Sequence, residues 1–287
     1  MSILVTGASG HVGRHVVAQL AAAGARVRAM TRNPASAAFP AGVEVVHGDL
    51  LKVDTVAAAL SEVDRLYLFP EPRTATEVVA AAKLAGVRRI VTLSSGAVTG
   101  GLDTDFQFPV EQAVEHSGLE WTHLRPGQFA SNTLRLWAPS IRAERVVRYV
   151  APDQIGLPIH EADIAEVAVH ALLSDGHHGR AYDMTGPQQV TNREQVIAIA
   201  EALGEPVYFE EVTPERAREI LTAQGGWAAE NSGFLLGFED YSASGTPDLS
   251  QEDWDRMLQP VPTVEEVTGH PARTFAQWAR DHVTSFR

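Results

Sequence analysis

The chain has 287 residues, 36 of them acidic and 23 basic, for a formal net charge of −13, so it lacks the basic footprint of a nucleic-acid binder. It contains no cysteine, which excludes disulfides, thiolate metal sites and cysteine nucleophiles. No apolar run approaches the roughly 18 residues of a membrane span, and Met1-Ser2 leads straight into apolar sequence without room for a signal peptide, so a cytoplasmic protein with no membrane partner is expected.

Short β-rich runs alternate with helical stretches, the pattern of βαβ units around a parallel sheet. The first strand is expected over residues 2–6, followed by an alanine-rich helix over 11–23 that ends at Gly24. Strands follow over 26–31 and 43–47, then a helix over 54–60 with Asp54 as its cap. A strand over 65–69, a helix over 75–85 stopped by Gly86, and a strand over 89–94 come next. A helix over 108–116 and a strand over 121–125 complete a six-stranded sheet. The remainder reads as helices over 162–173, 192–203, 214–222 and 271–283, with a short strand over 181–184, a Gly225-Gly226 break and a polar loop over 242–247.

The fold class predicted is therefore α/β: a doubly wound parallel Rossmann-type sheet with a smaller, mainly helical C-terminal substrate lobe. The expected division is residues 1–130 for the dinucleotide-binding domain and 131–287 for the lobe, with 145–150 and 181–184 as candidate strands returning to the sheet. Ligands of such sheets sit beyond the carboxyl ends of the strands.

The chemistry starts at the first turn, Thr6-Gly7-Ala8-Ser9-Gly10-His11-Val12-Gly13. A strand running into a glycine-spaced loop and then a helix is a cradle for a pyrophosphate. Open N–H groups and the helix dipole favour the negative charge, and glycine keeps a Cβ out of the way. Gly7, Ser9, Gly10 and Val12 are expected to hold the phosphates, with His11 and Gly13 in the same loop. After the second strand stand Thr31 and Arg32, and no acid follows before Glu44. An acid there would bond a ribose 2′-hydroxyl, whereas a guanidinium suits a 2′-phosphate, so NADP(H) is expected over NAD(H). Asp49-Leu50, after the third strand, are expected to seat the adenine; the alternative for Asp49 is a local Asx turn.

These segments, together with Val91-Thr92-Leu93-Ser94-Ser95, Glu111, Ser117-Gly118-Leu119-Glu120-Trp121-Thr122, Leu124-Arg125-Pro126-Gly127-Gln128-Phe129 and Tyr182-Asp183-Met184-Thr185-Gly186-Pro187, resemble the NmrA-like NAD(P)-binding branch of the atypical short-chain dehydrogenases over nearly the whole chain. The resemblance implies that Phe69, Pro70, Ser94 and Ser95 stand on the nicotinamide side. It further implies that Phe129, Asn132 and Trp137 line the substrate side; Phe129 and Trp137 read equally well as core aromatics.

Most short-chain dehydrogenases pair a tyrosine acid with a lysine four residues on. Here the residues four beyond Tyr67, Tyr149, Tyr182, Tyr208 and Tyr241 are Glu71, Asp153, Gly186, Val212 and Gly245, and the only lysines are Lys52 and Lys83. Ordinary alcohol–ketone chemistry is therefore not expected. The reading is an NADPH-dependent oxidoreductase that passes hydride to an electron-poor small molecule such as a quinone or enone, with Ser95 the one candidate for a carbonyl hydrogen bond. The alternatives are a non-catalytic NADP(H)-sensing regulator with a protein partner, and a biosynthetic enzyme performing a non-redox cyclisation or isomerisation. A monomer or homodimer acting on a small molecule is expected.

Other constellations read as structural. His11 and His15 are a surface pair at metal-compatible spacing, and no metal is expected. His177-His178 reads as a solvated loop. Asp163 reads as a cap or packing residue, with an acid–base pairing to His160 as the alternative. Glu252-Asp253-Trp254-Asp255 reads as an exposed helix face with one buried aromatic.

Overall fold

The computed structural model describes residues 1–240, 242, 245 and 249–287. In chain order, β1 (Ser2–Val5), α1 (Gly13–Ala22), β2 (Arg26–Thr31), β3 (Glu44–His47), α2 (Val53–Ala59), β4 (Arg65–Leu68), α3 (Ala75–Leu84) and β5 (Arg89–Leu93) open the chain. Then come α4 (Gly96–Thr99), α5 (Gln107–Glu115), β6 (Glu120–Pro126), α6 (Asn132–Glu144), β7 (Val146–Tyr149), β8 (Ile155–Gly156), α7 (Glu161–Leu173) and β9 (Arg180–Met184). The chain ends with β10 (Val190–Thr191), α8 (Asn192–Leu203), β11 (Tyr208–Glu211), α9 (Pro214–Gln224), α10 (Gly226–Glu230), α11 (Ser232–Leu235), α12 (Gln251–Met257), α13 (Thr263–Thr268) and α14 (Phe275–Asp281).

Seven parallel strands form the main sheet in the order β3-β2-β1-β4-β5-β6-β9, a doubly wound Rossmann-type arrangement. The order reverses between β1 and β4, where such folds bind their ligands. Ile3, Leu4 and Val5 are buried throughout, as a strand covered on both faces requires. One face is filled by Leu4, Leu66, Leu68 and Ile90 against Val56, Val78, Val79, Val110 and Val114 of α2, α3 and α5. On the sheet, α7 packs against α1 and β4–β6. Its C-terminal carbonyls are held by two arginines: Arg65 donates to Leu172 O, and Arg89 donates to Ala171 O at 3.0 Å and to Ser174 O. Cations there satisfy orphan carbonyls and oppose the helix dipole.

Two compact units result: Met1–Pro126 with Glu161–Met184 and Thr263–His270, and Gly127–His160 with Thr185–Pro262 and Pro271–Arg287. The single division near residue 130 is thus replaced by one the chain crosses several times, because α7, β9 and α13 complete the first unit. Of the two candidate returning strands, 181–184 joins the sheet as β9, whereas β7 pairs in parallel with β11 in the second unit. The second unit has its own core, in which Trp137 and Ile141 of α6, Val196 and Ile199 of α8, and Phe275 and Trp278 of α14 pack together.

Several local expectations are corrected. Asp54 lies inside the first turn of α2, whose N-cap is Lys52 with no side-chain cap bond. The last helix starts only at Phe275, because Thr274 and Gln277 form a capping box there. Trp254 is 42% exposed rather than buried. His178 is exposed and His177 half-buried in their loop, and both also make bonds there: His177 Nδ1 meets the Tyr182 hydroxyl at 2.8 Å, and His178 Nδ1 accepts from Trp121 N at 3.2 Å. Asp163 is buried in the first turn of α7, as the packing reading expects, and His160 Nε2 stands 3.3 Å from Asp281 Oδ2. Of the polar loop expected over 242–247, only Ser242 and Gly245 are among the described residues. Among the described residues no helix is long and apolar enough to cross a membrane.

Candidate functional site

The loop after β1 is built by glycine geometry. Gly7 takes φ +58°, the left-handed region that favours a residue without Cβ. Its carbonyl accepts from Gly10 N at 2.9 Å, closing the turn. A Cβ on Gly13 would lie 2.2 Å from that carbonyl oxygen, so only glycine lets α1 start so close to the loop. The N-cap position of α1, Val12, offers no side-chain cap, and no acid stands in the first turn. The N–H groups of Val12 and Gly13 have no acceptor among the described residues. An uncapped helix start over a glycine turn fits an anionic diphosphate. Arg14 also belongs to this loop. Its Nε donates to Gly10 O at 3.2 Å and its Nη2 meets His11 Nδ1 at 3.1 Å, so its charge stays at the loop. It directly follows the Gly13 that closes the motif, but its role is visible only once the helix start folds back over Gly10.

Thr6 joins this loop to the end of β4. Its hydroxyl donates to Tyr67 O at 3.0 Å and accepts from Phe69 N at 2.7 Å. Phe69 is thereby held over Gly7, where an added Cβ would meet the Phe69 Cβ at 3.0 Å. Phe69 is 42% exposed, an aromatic face left open beside the glycine turn.

At the end of β2, Thr31 is buried and its hydroxyl accepts from Asn33 N at 3.3 Å. Arg32 is exposed and makes no hydrogen bond or ion pair with any described residue. Gly48 lies so near Met30 that a Cβ would meet its sulfur at 2.4 Å. Asp49 Oδ1 accepts from Leu51 N at 3.1 Å, the Asx turn that was the alternative to an adenine contact. Leu50 is partly buried against the core, and its carbonyl accepts from the Thr74 hydroxyl at 2.7 Å.

Beyond β5, Ser94 is buried and bonded through its N–H to Leu124 O at 2.7 Å. Ser95 caps the short α4: its hydroxyl oxygen accepts from Ala97 N at 3.1 Å, which leaves its proton to donate elsewhere. A charged network secures this segment. Arg125 of β6 grips Glu111 of α5 with both forks, Nε to Oε1 at 2.9 Å and Nη2 to Oε2 at 2.5 Å. Arg125 Nη1 also donates to the Thr99 hydroxyl at 3.1 Å. Burial works to raise the Glu111 carboxyl, and the paired guanidinium overrides it, holding the pKa below its ordinary value.

The structure thus gathers Gly7, Gly10, Gly13 and Phe69 around one turn, with Ser94 and Ser95 after a neighbouring strand of the same sheet. Phe129, Asn132 and Trp137 belong to the second unit. Phe129 bridges Ile159, Asn132 opens α6, and Trp137 is buried in that unit's core edge-on to Tyr149, with ring centres 5.8 Å apart. Buried surroundings push the Tyr149 phenol up to about 12, and Tyr67 is pushed higher still. Neither core tyrosine is poised as an acid.

A profile described as NAD(P)H-binding matches residues 7–175, more than half of the chain. The chain belongs to the NAD(P)H-binding family. The fold is shared with NmrA, a negative transcriptional regulator, which superimposes with a TM-score of 0.70 at 18% identity, covering 99% of this chain and 95% of that one. The (4-alkanoyl-5-oxo-2,5-dihydrofuran-3-yl)methyl phosphate reductase of Streptomyces griseus is 40% identical over 292 residues, covering 99% of both chains. The NAD(P)H azoreductase of Xenophilus azovorans is 34% identical over 300 residues, again with 99% of each chain covered. Among solved structures, an NADPH-dependent quinone oxidoreductase from Escherichia coli superimposes with a TM-score of 0.77 at 26% identity, covering 98% of this chain and 99% of that one. The cradle after β1 suits the cofactor of the family: the glycine turn leaves no room for a Cβ, and the helix start leaves its amides open.

Proposed function

We propose that this NAD(P)H-dependent oxidoreductase prefers NADPH and delivers hydride to a conjugated, electron-poor π bond in a small molecule, such as a quinone or enone. When bound, the reduced nicotinamide supplies the hydride. The observation that carries the reading is on α5. The helix that would carry a tyrosine–lysine pair holds neither residue, and its Glu111 is locked in a two-pronged ion pair with Arg125. An ionised, paired carboxylate has no proton to give to an alkoxide. Acceptors that stabilise negative charge on their own need little protonation during hydride arrival.

The relatives support the same chemistry. A furanone conjugated to an acyl group, an azo bond and a quinone are all polarised π systems. In this chain, Gly7, Ser9, Gly10, His11, Val12 and Gly13 hold the diphosphate, and Thr31, Asp49 and Leu50 border the adenosine. Phe69 and Pro70 cover the nicotinamide side with Ser94. Arg32, exposed and unpaired, selects the 2′-phosphate. The free proton of the Ser95 hydroxyl donates to the acceptor's oxygen. Phe129 and Asn132 serve as substrate contacts, while Trp137, buried in its unit's core, packs with Ile141 and Tyr149.

The test is NADPH oxidation across panels of quinones, enones and azo compounds. Turnover with at least one class is expected, with Ser95→Ala reducing kcat about tenfold. Tight binding of NADP⁺ and NADPH without turnover on any panel would favour a cofactor-sensing regulator instead. Product formation without cofactor consumption would point to cyclisation or isomerisation.

A further inference from the structure

The first unit holds a second polar cluster, between α5 and β6, that the cofactor loop does not use. Glu111 and Glu115 stand one turn apart on α5, and His123 comes from β6. One donor atom from each lies within 4.8 Å of the other two. His123 is wholly buried, and neither of its ring nitrogens has a hydrogen-bond partner. A buried donor or acceptor left unsatisfied forfeits its hydration without return, so the ring calls for a ligand. Trp121 stacks on it with centres 4.5 Å apart and fixes its plane.

We propose that Glu111, Glu115 and His123 bind a borderline divalent cation of the zinc class, which staples α5 to β6. His123 Nε2 stands 3.4 Å from Glu115 Oε1, without the alignment of a hydrogen bond. That separation is close to the edge of a tetrahedron whose metal bonds are about 2.0–2.2 Å long. The His123 ring is wholly enclosed, and an imidazole nitrogen without a partner there is a common metal ligand. One imidazole with two carboxylates suits zinc or cobalt better than calcium or magnesium, which take all-oxygen sets.

The neighbouring cation does not forbid the site. Glu111 and Glu115 bring two negative charges and Arg125 one positive, so the cluster is net negative before a metal enters. Arg125 occupies one position on each Glu111 oxygen and leaves the second lone pairs, an outer partner of the kind that orients metal-bound carboxylates. The Glu115 side chain is 40% exposed, which opens a path for the ion and a position for water.

The experiment is calorimetric titration of Zn²⁺ into full-length protein stripped with EDTA, with Co²⁺ absorption as a report on geometry. One saturable equivalent with a tetrahedral Co²⁺ spectrum is expected. His123→Leu and Glu115→Gln should each weaken it by about 100-fold or more. The double variant His11→Asn/His15→Asn should keep it, separating this cluster from surface histidines. Should His123→Leu fail to fold, Glu115→Gln, at the solvent side, decides alone. No saturable equivalent, or equal affinity in Glu115→Gln, overturns the site.

Discussion

The Thr99 hydroxyl donates to Asp183 Oδ1 at 2.5 Å, tying the end of α4 to the far edge strand β9. Arg125 donates to the same hydroxyl from β6, so three carboxyl-edge segments meet on one side chain. The short α4, which follows Ser95 directly, is thereby anchored from two strands. Asp183→Asn should loosen that anchor without touching the glycine turn. We expect kcat/KM for the acceptor to fall roughly 3- to 10-fold, as small misplacements do, while NADPH affinity holds. Steady-state kinetics beside a binding titration would show it; an unchanged kcat/KM would make the bond a surface ornament.

Arg32→Ala tests the cofactor preference. Loss of a charge-assisted pair with a phosphate should raise the Kd for NADP⁺ by on the order of 10- to 100-fold, and that for NAD⁺ by far less. Fluorescence titration with both nucleotides measures the ratio. Equal losses would remove Arg32 from the 2′ position.

Gly13→Ala tests the turn. Its Cβ would fall 2.2 Å from the Gly7 carbonyl oxygen, which is backbone and cannot rotate away. Relief requires moving the start of α1, at a cost of roughly 1–3 kcal/mol. A lower Tm together with weakened binding of both nucleotides is expected. Gly24→Ala, where an added Cβ meets nothing within 4 Å, should leave nucleotide affinity intact despite the strain of its φ of +75°.

Acid sensitivity follows from Asp64. Its carboxylate accepts from Ser2 N at 2.7 Å and pairs with Arg88 at 3.2 Å, and chiefly through that backbone bond its pKa is lowered. A group depressed in the folded state stabilises it above the unfolded pKa of about 3.9. The contribution is lost as pH falls through the lower, folded value. Being largely exposed, the pair is worth under about 1 kcal/mol. Asp64→Asn should therefore lower Tm slightly at neutral pH and converge with the parent at strongly acid pH.

Much of this protein was written locally. The alternation of β-rich and helical segments, the glycine spacing from Gly7 to Gly13, and the position of Arg32 after its strand are short-range features, and chain order alone carries them. The absence of a tyrosine–lysine pair is likewise a property of the string. What the sequence could not show is which distant segments share a neighbour. That Asp183 returns to Thr99, that α7 and β9 complete the first unit, and that His123 and Glu115 meet without a hydrogen bond between them depend on contacts across many residues. Asp49 folding into its own turn, and Trp254 left in the open, were decided the same way. Propensity and periodicity speak for a few residues at a time, whereas burial and ion pairing are settled only when the sheet order brings remote strands side by side.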